Sequence, residues 1–236
     1  MPVAGNELAT PTVVKNLQSI LFDIDGTLAD TNELHIRCWL EAFAHFGKEL
    51  AYDVMRHQIG KGGDLLVPDL LDAKEMRRFG EDLKKYRTEL FKEKYMPQAK
   101  PFAGARETLE ALHGRGIRLA LASSSNEEEV EYYTQLLGVE KLIQGSTSKK
   151  DAEHSKPSPG IFRAALERIG ADEGRTFAVG DTPYDILAAH RIPLPIVAVL
   201  SGGVERELLA KAEFLFGDVT EIVRELNRVD EYFADE

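Results

Sequence analysis

Short apolar runs recur along the chain at Ser19 to Phe22, Ile117 to Ala122, Thr176 to Val179, Ile196 to Leu200 and Glu213 to Phe216. They are rich in Leu, Ile, Val and Ala and short enough to be buried strands. Between the later runs lie helical patterns at Glu127 to Leu137, Pro159 to Ile169, Tyr184 to His190 and Val219 to Phe233. Each is long enough to be a crossover, and alternation of this kind predicts a parallel sheet. Gly138 and Gly170 each follow a periodic segment, where a left-handed residue just past a helix end would sit.

From about Thr31 to Lys100 the pattern changes to helical periodicity with no convincing buried strand. Asp30 with Glu33 three residues on predicts a capped helix running through Phe46, with Gly47 just beyond it. Ala73 to Tyr95 is a second long, charged helical pattern, and Pro97 and Pro101 fence this region from the next strand. The expectation is an α/β protein with a doubly wound, Rossmann-like parallel sheet core. That core would be residues 1–31 and 102–236, interrupted by an all-helical cap domain of residues 32–101. There is no internal repeat, and the acidic tail from Val229 to Glu236 is expected to fray.

Composition narrows the class. A chain of 236 residues fits one large domain or a domain with an insertion. With 43% hydrophobic and 29% charged residues it reads as an ordinary soluble globular protein. Lys plus Arg is 29 and Asp plus Glu is 40, a net charge of −11 that argues against nucleic acid as main partner. The single cysteine, Cys38, excludes an intrachain disulfide. No apolar run is long enough to span a membrane, and Met1 to Gln18 lacks a basic flank followed by an apolar stretch. No signal peptide and no membrane partner are therefore expected; the expected setting is a reducing cytoplasm, and the expected state a monomer or weak homodimer.

The strand Ser19 to Phe22 runs into Asp23-Ile24-Asp25-Gly26-Thr27-Leu28. Two carboxylates at the carboxyl end of a buried parallel strand sit where open α/β sheets place their ligands. An Asp-Gly turn alone accounts for one of them, not for the second beside an apolar strand. A buried carboxylate calls for a cation or a proton. Further along come Ser123 after the run Ile117 to Ala122, Lys156 in Lys-Pro-Ser-Pro-Gly-Ile-Phe, and Asp181 and Asp185 in Gly-Asp-Thr-Pro-Tyr-Asp. Singly, each is explained as a helix cap or a solvated charge. Together they are an ordered set at or near the ends of successive strands.

That set resembles the four motifs of the haloacid dehalogenase superfamily: an Asp-x-Asp loop, a strand-end Ser or Thr, a Lys, and a closing acidic pair. The helical insert after the first motif resembles the cap of the subgroup holding β-phosphoglucomutases and phosphoglycolate-phosphatase-like proteins. Dehalogenases of the superfamily lack the second Asp of the first motif, so Asp25 aligns the chain with the phosphoryl-transfer members. The resemblance implies Asp23 as the nucleophile that forms an aspartyl phosphate and Asp25 as acid and base. It implies Ser123 and Lys156 as holders of the transferring oxygens, with Ser124, Ser125 and Asn126 beside the substrate.

A phosphate dianion about 4 Å from the Asp23 carboxylate is opposed by about 8 kcal/mol at an effective dielectric of about 20. A cation is needed, and the resemblance supplies it as Mg²⁺ held by Asp23, the backbone carbonyl of Asp25, and Asp181. Asp185, also of the metal motif, is expected to orient a metal-bound water or Lys156. The insert would select the leaving group. There Gly60-Lys61-Gly62-Gly63 suggests a loop folding tightly over a ligand, with Lys61 as a cation above it. His35, Trp39 and Ile36 read first as packing of an amphipathic helix. β-Phosphoglucomutases carry an Arg shortly after the loop Gly where this chain has Gly62, Gly63 and Asp64. The expected activity is thus a phosphatase of small phosphorylated metabolites, with a sugar phosphomutase as the alternative. A signalling receiver domain also combines acidic residues, a hydroxyl and a Lys, but its phosphorylated Asp follows its acidic pair on a later strand.

Overall fold

The computed structural model describes residues 15–234. In chain order the elements are β1 Ser19–Phe22, β2 Ala29–Asp30, α1 Asn32–His45, α2 Tyr52–Arg56, α3 Gly63–Leu70, α4 Ala73–Glu75, α5 Glu81–Leu90, β3 Lys100–Pro101, α6 Ala105–His113 and β4 Arg118–Ala122. They continue as α7 Glu127–Leu137, β5 Ile143–Thr147, α8 Gly160–Ile169, β6 Thr176–Gly180, α9 Pro183–Ala189, β7 Ile196–Val199, β8 Phe214–Phe216, α10 Thr220–Arg224 and α11 Leu226–Glu231. Six strands pair in parallel in the order β5-β4-β1-β6-β7-β8. The chain builds outward from β1 to β5, returns to the other side of β1, and builds outward again to β8. The reversal therefore falls at β1, whose neighbours are β4 and β6, and the carboxyl ends of these three strands share one crevice.

The period of two along each strand divides the core. Ile20 and Phe22, Leu119 and Leu121, Phe177 and Val179, and Val197 and Val199 point to the face covered by α6, α7, α10 and α11. Leu21, Ala120, Ala122, Ala178 and Ala198 point to the other, where α8 and α9 pack. Small side chains there let those two helices lie close to the sheet.

Between β2 and β3 the chain is helical, and its buried residues Ile36, Trp39, Phe43, Met55, Leu66, Val67, Leu71 and Leu83 form a cluster of their own. The pattern Ala73 to Tyr95 is a run of helix in which π turns at Met76–Gly80 and Phe91–Tyr95 flank α5. β2 and β3 pair antiparallel, Ala29 with Pro101 and Asp30 with Lys100, so the outgoing and returning chains are laced together.

Several expectations are corrected. Strand β5 and helix α6 are additions to the pattern read from the sequence. The helix expected over Val219 to Phe233 is broken at Glu225 into α10 and α11. The tail does not fray as a whole: Asp230 is buried, and its Oδ1 accepts the backbone N–H groups of Asn16 at 2.8 Å and Leu17 at 2.7 Å, with Lys15 N at 3.1 Å from Oδ2. Asp235 and Glu236, and the stretch from Met1 to Val14 within the segment read for a signal peptide, lie outside the described residues. The capping box of Asp30 and Glu33 does not form. Asp30 is on the ribbon, Glu33 accepts from Arg37 Nε at 2.6 Å and Tyr52 Oη at 2.5 Å, and Thr31 precedes α1 without capping it. No helix among the described residues is long and apolar enough to cross a membrane.

Candidate active site

Asp23 follows β1, Asp181 follows β6, and Lys156 lies on the loop before α8. Lys156 Nζ donates to Asp23 Oδ1 at 2.5 Å and is 2.7 Å from Asp185 Oδ1. Asp185 is in turn fixed by the start of α9. Its Oδ2 accepts from Thr182 N at 3.0 Å and Thr182 Oγ1 at 2.6 Å, a capping box with Pro183 in the first turn. One residue thus secures a helix and aims a lysine.

Asp23, Asp181 and Asp185 are all buried, and each offers an oxygen within 4.8 Å of the others'. Burial pushes the Asp23 carboxyl up to about 7; Lys156 pulls it down, while Asp185 and Asp25 add to the rise. Burial, then the charges of Asp185 and Asp23, lift Asp181 well above the usual carboxylate range. Burial works against the Lys156 charge, but Asp185 and Asp23 outweigh it and raise its pKa above lysine's ordinary value. One ammonium does not balance three carboxylates. The surplus negative charge and the all-oxygen donor set fit a hard divalent cation. The space around Asp181 fits too: a Cβ on Gly26 would fall 2.1 Å from its Oδ2, and one on Gly202 1.8 Å away.

Asp25 is held apart from that cluster. Its Oδ1 accepts from Thr31 Oγ1 at 2.6 Å and faces His35 Nε2 at 2.9 Å, and its Oδ2 accepts from Ser125 Oγ at 2.9 Å. Thr31 and His35 are one helical turn apart, so both reach the same oxygen. Arg87 NH2 meets His35 Nδ1 at 2.5 Å. A guanidinium only donates, so Nδ1 accepts and Nε2 carries the hydrogen given to Asp25. His35 stacks on Phe91 at 4.2 Å, and the Arg87 guanidinium lies 4.6 Å from the same ring and 5.0 Å from Trp39. Burial opposes ionisation of Asp25, but His35, Thr31 and Ser125 prevail and hold its carboxyl well below the usual range.

Asp23, Asp25, Lys156 and Asp185 border a cavity of about 180 Å³ between the sheet end and the helical segment, while Asp181 lies behind its lining. Its sheet side carries Asp23, Asp25, Ser124, Ser125, Asn126 and Lys156; its helical side carries His35, Trp39, Lys61, Lys84, Arg87 and Thr88. Not every expected residue faces it. Ser123 is buried behind the loop, its Oγ accepting the N–H of Ser125 at 3.0 Å, and is not among the lining residues. Ser124 Oγ is buried with no hydrogen-bond partner among the described residues. Asn126 caps α7, its Oδ1 accepting from Glu129 N at 2.9 Å.

Lys61 reaches the wall, but its ammonium donates to Asp69 Oδ2 at 2.6 Å and Gln58 Oε1 at 2.8 Å and lies 5.1 Å from the Tyr184 ring. The flanking glycines permit close approach instead. Gly60 has φ +98°, and a Cβ on it would fall 2.7 Å from Thr182 Oγ1; one on Gly62 would fall 2.0 Å from Ser155 Oγ. Asp64 accepts from Ser155 Oγ at 2.6 Å, and Arg56 donates to Glu205 at 2.6 Å, so the helical segment sits against the sheet end. Thr31, Asn32, Arg87 and Thr182 are not singled out by the sequence; only the Thr31 to His35 spacing, one turn along a helix beside Asp25, points to any of them.

A doubly wound parallel sheet with clustered carboxylates and a lysine at its switch point defines a hydrolase of the haloacid dehalogenase type. The chain belongs to the haloacid dehalogenase-like hydrolase family, whose model matches residues 20–199. Pyrophosphatase PpaX of Oceanobacillus iheyensis is 28% identical over 184 residues, covering 78% of this chain and 84% of that protein. The phosphoglycolate phosphatase of Agrobacterium fabrum is 28% identical over 192 residues, covering 77% and 80%. A hydrolase from Pseudomonas syringae superposes with a TM-score of 0.77 at 27% identity, covering 90% of this chain and 99% of the other.

Proposed function

We propose that this protein is a Mg²⁺-dependent phosphatase of small phosphorylated metabolites that works through an aspartyl phosphate on Asp23, beneath a helical cap of residues 32–101. The observation that carries the reading is Asp23 itself: a strand-end carboxylate 2.5 Å from Lys156, inside a cluster of three carboxylates that this one ammonium does not balance. The named activities of the relatives, hydrolysis of pyrophosphate and of phosphoglycolate, belong to the same reaction class.

In the first step an Asp23 oxygen attacks phosphorus, the P–O bond to the leaving group breaks, and Asp25, which takes up a proton from solvent as the substrate binds, gives that proton to the departing oxygen. In the second, Asp25 takes a proton from water as water attacks phosphorus, and the Asp23 carboxylate is released. The three donors around Asp25 hold it as a carboxylate in the substrate-free protein, so the proton it takes up with the substrate leaves readily for the departing oxygen, and the carboxylate left behind is ready to accept water's proton in the second step. Lys156 would hold phosphoryl oxygens, and Ser124 Oγ, on the cavity wall, would do so in the role expected of Ser123. Asp23 and Asp181 would hold the cation, which neutralises repulsion between Asp23 and the phosphoryl group; Asp185 acts on Lys156. His35 is a positioning residue that fixes Asp25, and Arg87 fixes His35. The small cavity admits small leaving groups.

The test is phosphate release from a panel of pyrophosphate, phosphoglycolate and sugar phosphates, with and without Mg²⁺. Hydrolysis is expected only with the ion and is expected to vanish in Asp23→Asn while far-UV circular dichroism is unchanged. Turnover by that variant, or isomerisation of a sugar phosphate without phosphate release, would overturn the reading.

A further inference from the structure

Asn32 is the first residue of α1, just past the ribbon, and its side chain turns back toward the acidic cluster. Its Nδ2 donates to Asp181 Oδ2 at 2.7 Å and to the Gly202 carbonyl at 2.9 Å. Those acceptors use both amide hydrogens and fix which way the amide faces, because a flipped amide would set its oxygen against two other oxygens. The residue is only 8% exposed, it lines the cavity shared with Asp23, and its Oδ1 has no hydrogen-bond partner among the described residues. A buried acceptor without a donor is costly. Asn32 therefore gives up one polar atom's pairing to aim the other.

We infer that Asn32 is a positioning residue for the divalent cation: Nδ2 clamps Asp181 in its ligating orientation, and Oδ1 accepts a hydrogen bond from the ion's hydration shell. This rests on the cation site of the proposed phosphatase. The surroundings select for such a clamp. Gly26 and Gly202 crowd Asp181 so closely that a Cβ on either would overlap its carboxylate, and the same two Cβ positions would fall 2.4 and 2.8 Å from Asn32 Nδ2. The carboxylate is thus walled by backbone on two sides. Thr27 Oγ1 approaches Asp181 Oδ1 only at 3.4 Å, which leaves Asn32 as the short hydrogen bond to it. A donor to a ligating carboxylate, and an acceptor for metal-bound water, commonly set affinity by about tenfold to a hundredfold. Because the clamp comes from α1, cation affinity is coupled to the seating of the helical segment on the sheet.

The test titrates Mn²⁺ into metal-free protein, counts free ion by electron paramagnetic resonance, and displaces it with Mg²⁺. Asn32→Ala and Asn32→Ser both suit the first turn of a helix. Each is expected to weaken Mn²⁺ and Mg²⁺ binding about tenfold or more, with kcat largely restored at saturating Mg²⁺. In the unaltered protein, Mg²⁺ should shift the ¹⁵N–H₂ signals of the Asn32 side chain. Unchanged ion affinity in either folded variant, or Asn32 signals that stay put at saturating Mg²⁺, would overturn the inference. A lower Tm in EDTA with unchanged affinity would make Asn32 merely structural and overturn it as well. Failure of the unaltered protein to bind either ion would instead remove the cation reading itself.

Discussion

Asp23 illustrates how burial and neighbours compete at a single residue. Its carboxyl is pushed up to about 7 in the metal-free protein, against an ordinary value of 3.8. Between those values the folded chain holds a proton that the unfolded chain releases, so stability falls as pH rises through that window. Asp181 shifts in the same direction. Asp25 is shifted the other way; its contribution is lost only as pH falls below the ordinary carboxylate range, so it is complete by about pH 5. Scanning fluorimetry in EDTA is therefore expected to show Tm falling from about pH 5 to about pH 7, a slope that shrinks in Asp23→Asn. Excess Mg²⁺ should flatten it, because the ion replaces the protons. A flat EDTA profile would mean that the cluster is not short of positive charge.

At the level of elements, the first turn of α9 joins stability to chemistry. Thr182 accepts from Asp185 N, donates to Asp185 Oδ2, and meets Gly60 of the helical segment. Thr182→Ala removes the cap and is expected to cost about 1–2 kcal/mol in urea unfolding. It also removes the shorter of the two hydrogen bonds that hold Asp185 Oδ2, so turnover should fall further than the stability loss explains. This turn also marks how far the sequence can be read. Asp23, Asp25, Asp181 and Asp185 are legible because each lies in a short motif after an apolar run, Lys156 because its Lys-Pro-Ser-Pro-Gly leads into a helical pattern, and β1, β4, β6, β7 and β8 because apolar runs mark buried parallel strands. β5 is not, because Ile-Gln-Gly-Ser-Thr at the sheet edge is half polar, with Gln144 Oε1 accepting the Leu119 N–H at 2.6 Å across a shift in register. Arg87 is not, because its tie to His35 spans 52 positions and exists only once α1 and α5 pack. Lys61 lines the cavity, but that Asp69, on the next helix, takes its ammonium is a tie the glycine pattern does not reveal.

For the molecule as a whole, the tie between the two ends of the described chain is decisive. Asp230 on α11 collects the amides that lead into β1. Asp230→Ala strands those donors, the Leu17 amide among them buried, and is expected to cost about 2–3 kcal/mol, measured by urea unfolding. A loss under about 0.5 kcal/mol would show that water replaces the carboxylate. The sheet order carries a further consequence for biosynthesis. β1, which delivers Asp23, is the earliest strand described, yet it is flanked by β4 and β6 and its lead-in is pinned by α11. On a ribosome, β1 emerges with neither flanking strand yet made, and its last anchor is translated more than two hundred residues later. The nascent chain must carry an apolar segment unpaired until β4 has been made, and the strand that delivers Asp23 is fully secured only once α11 has followed.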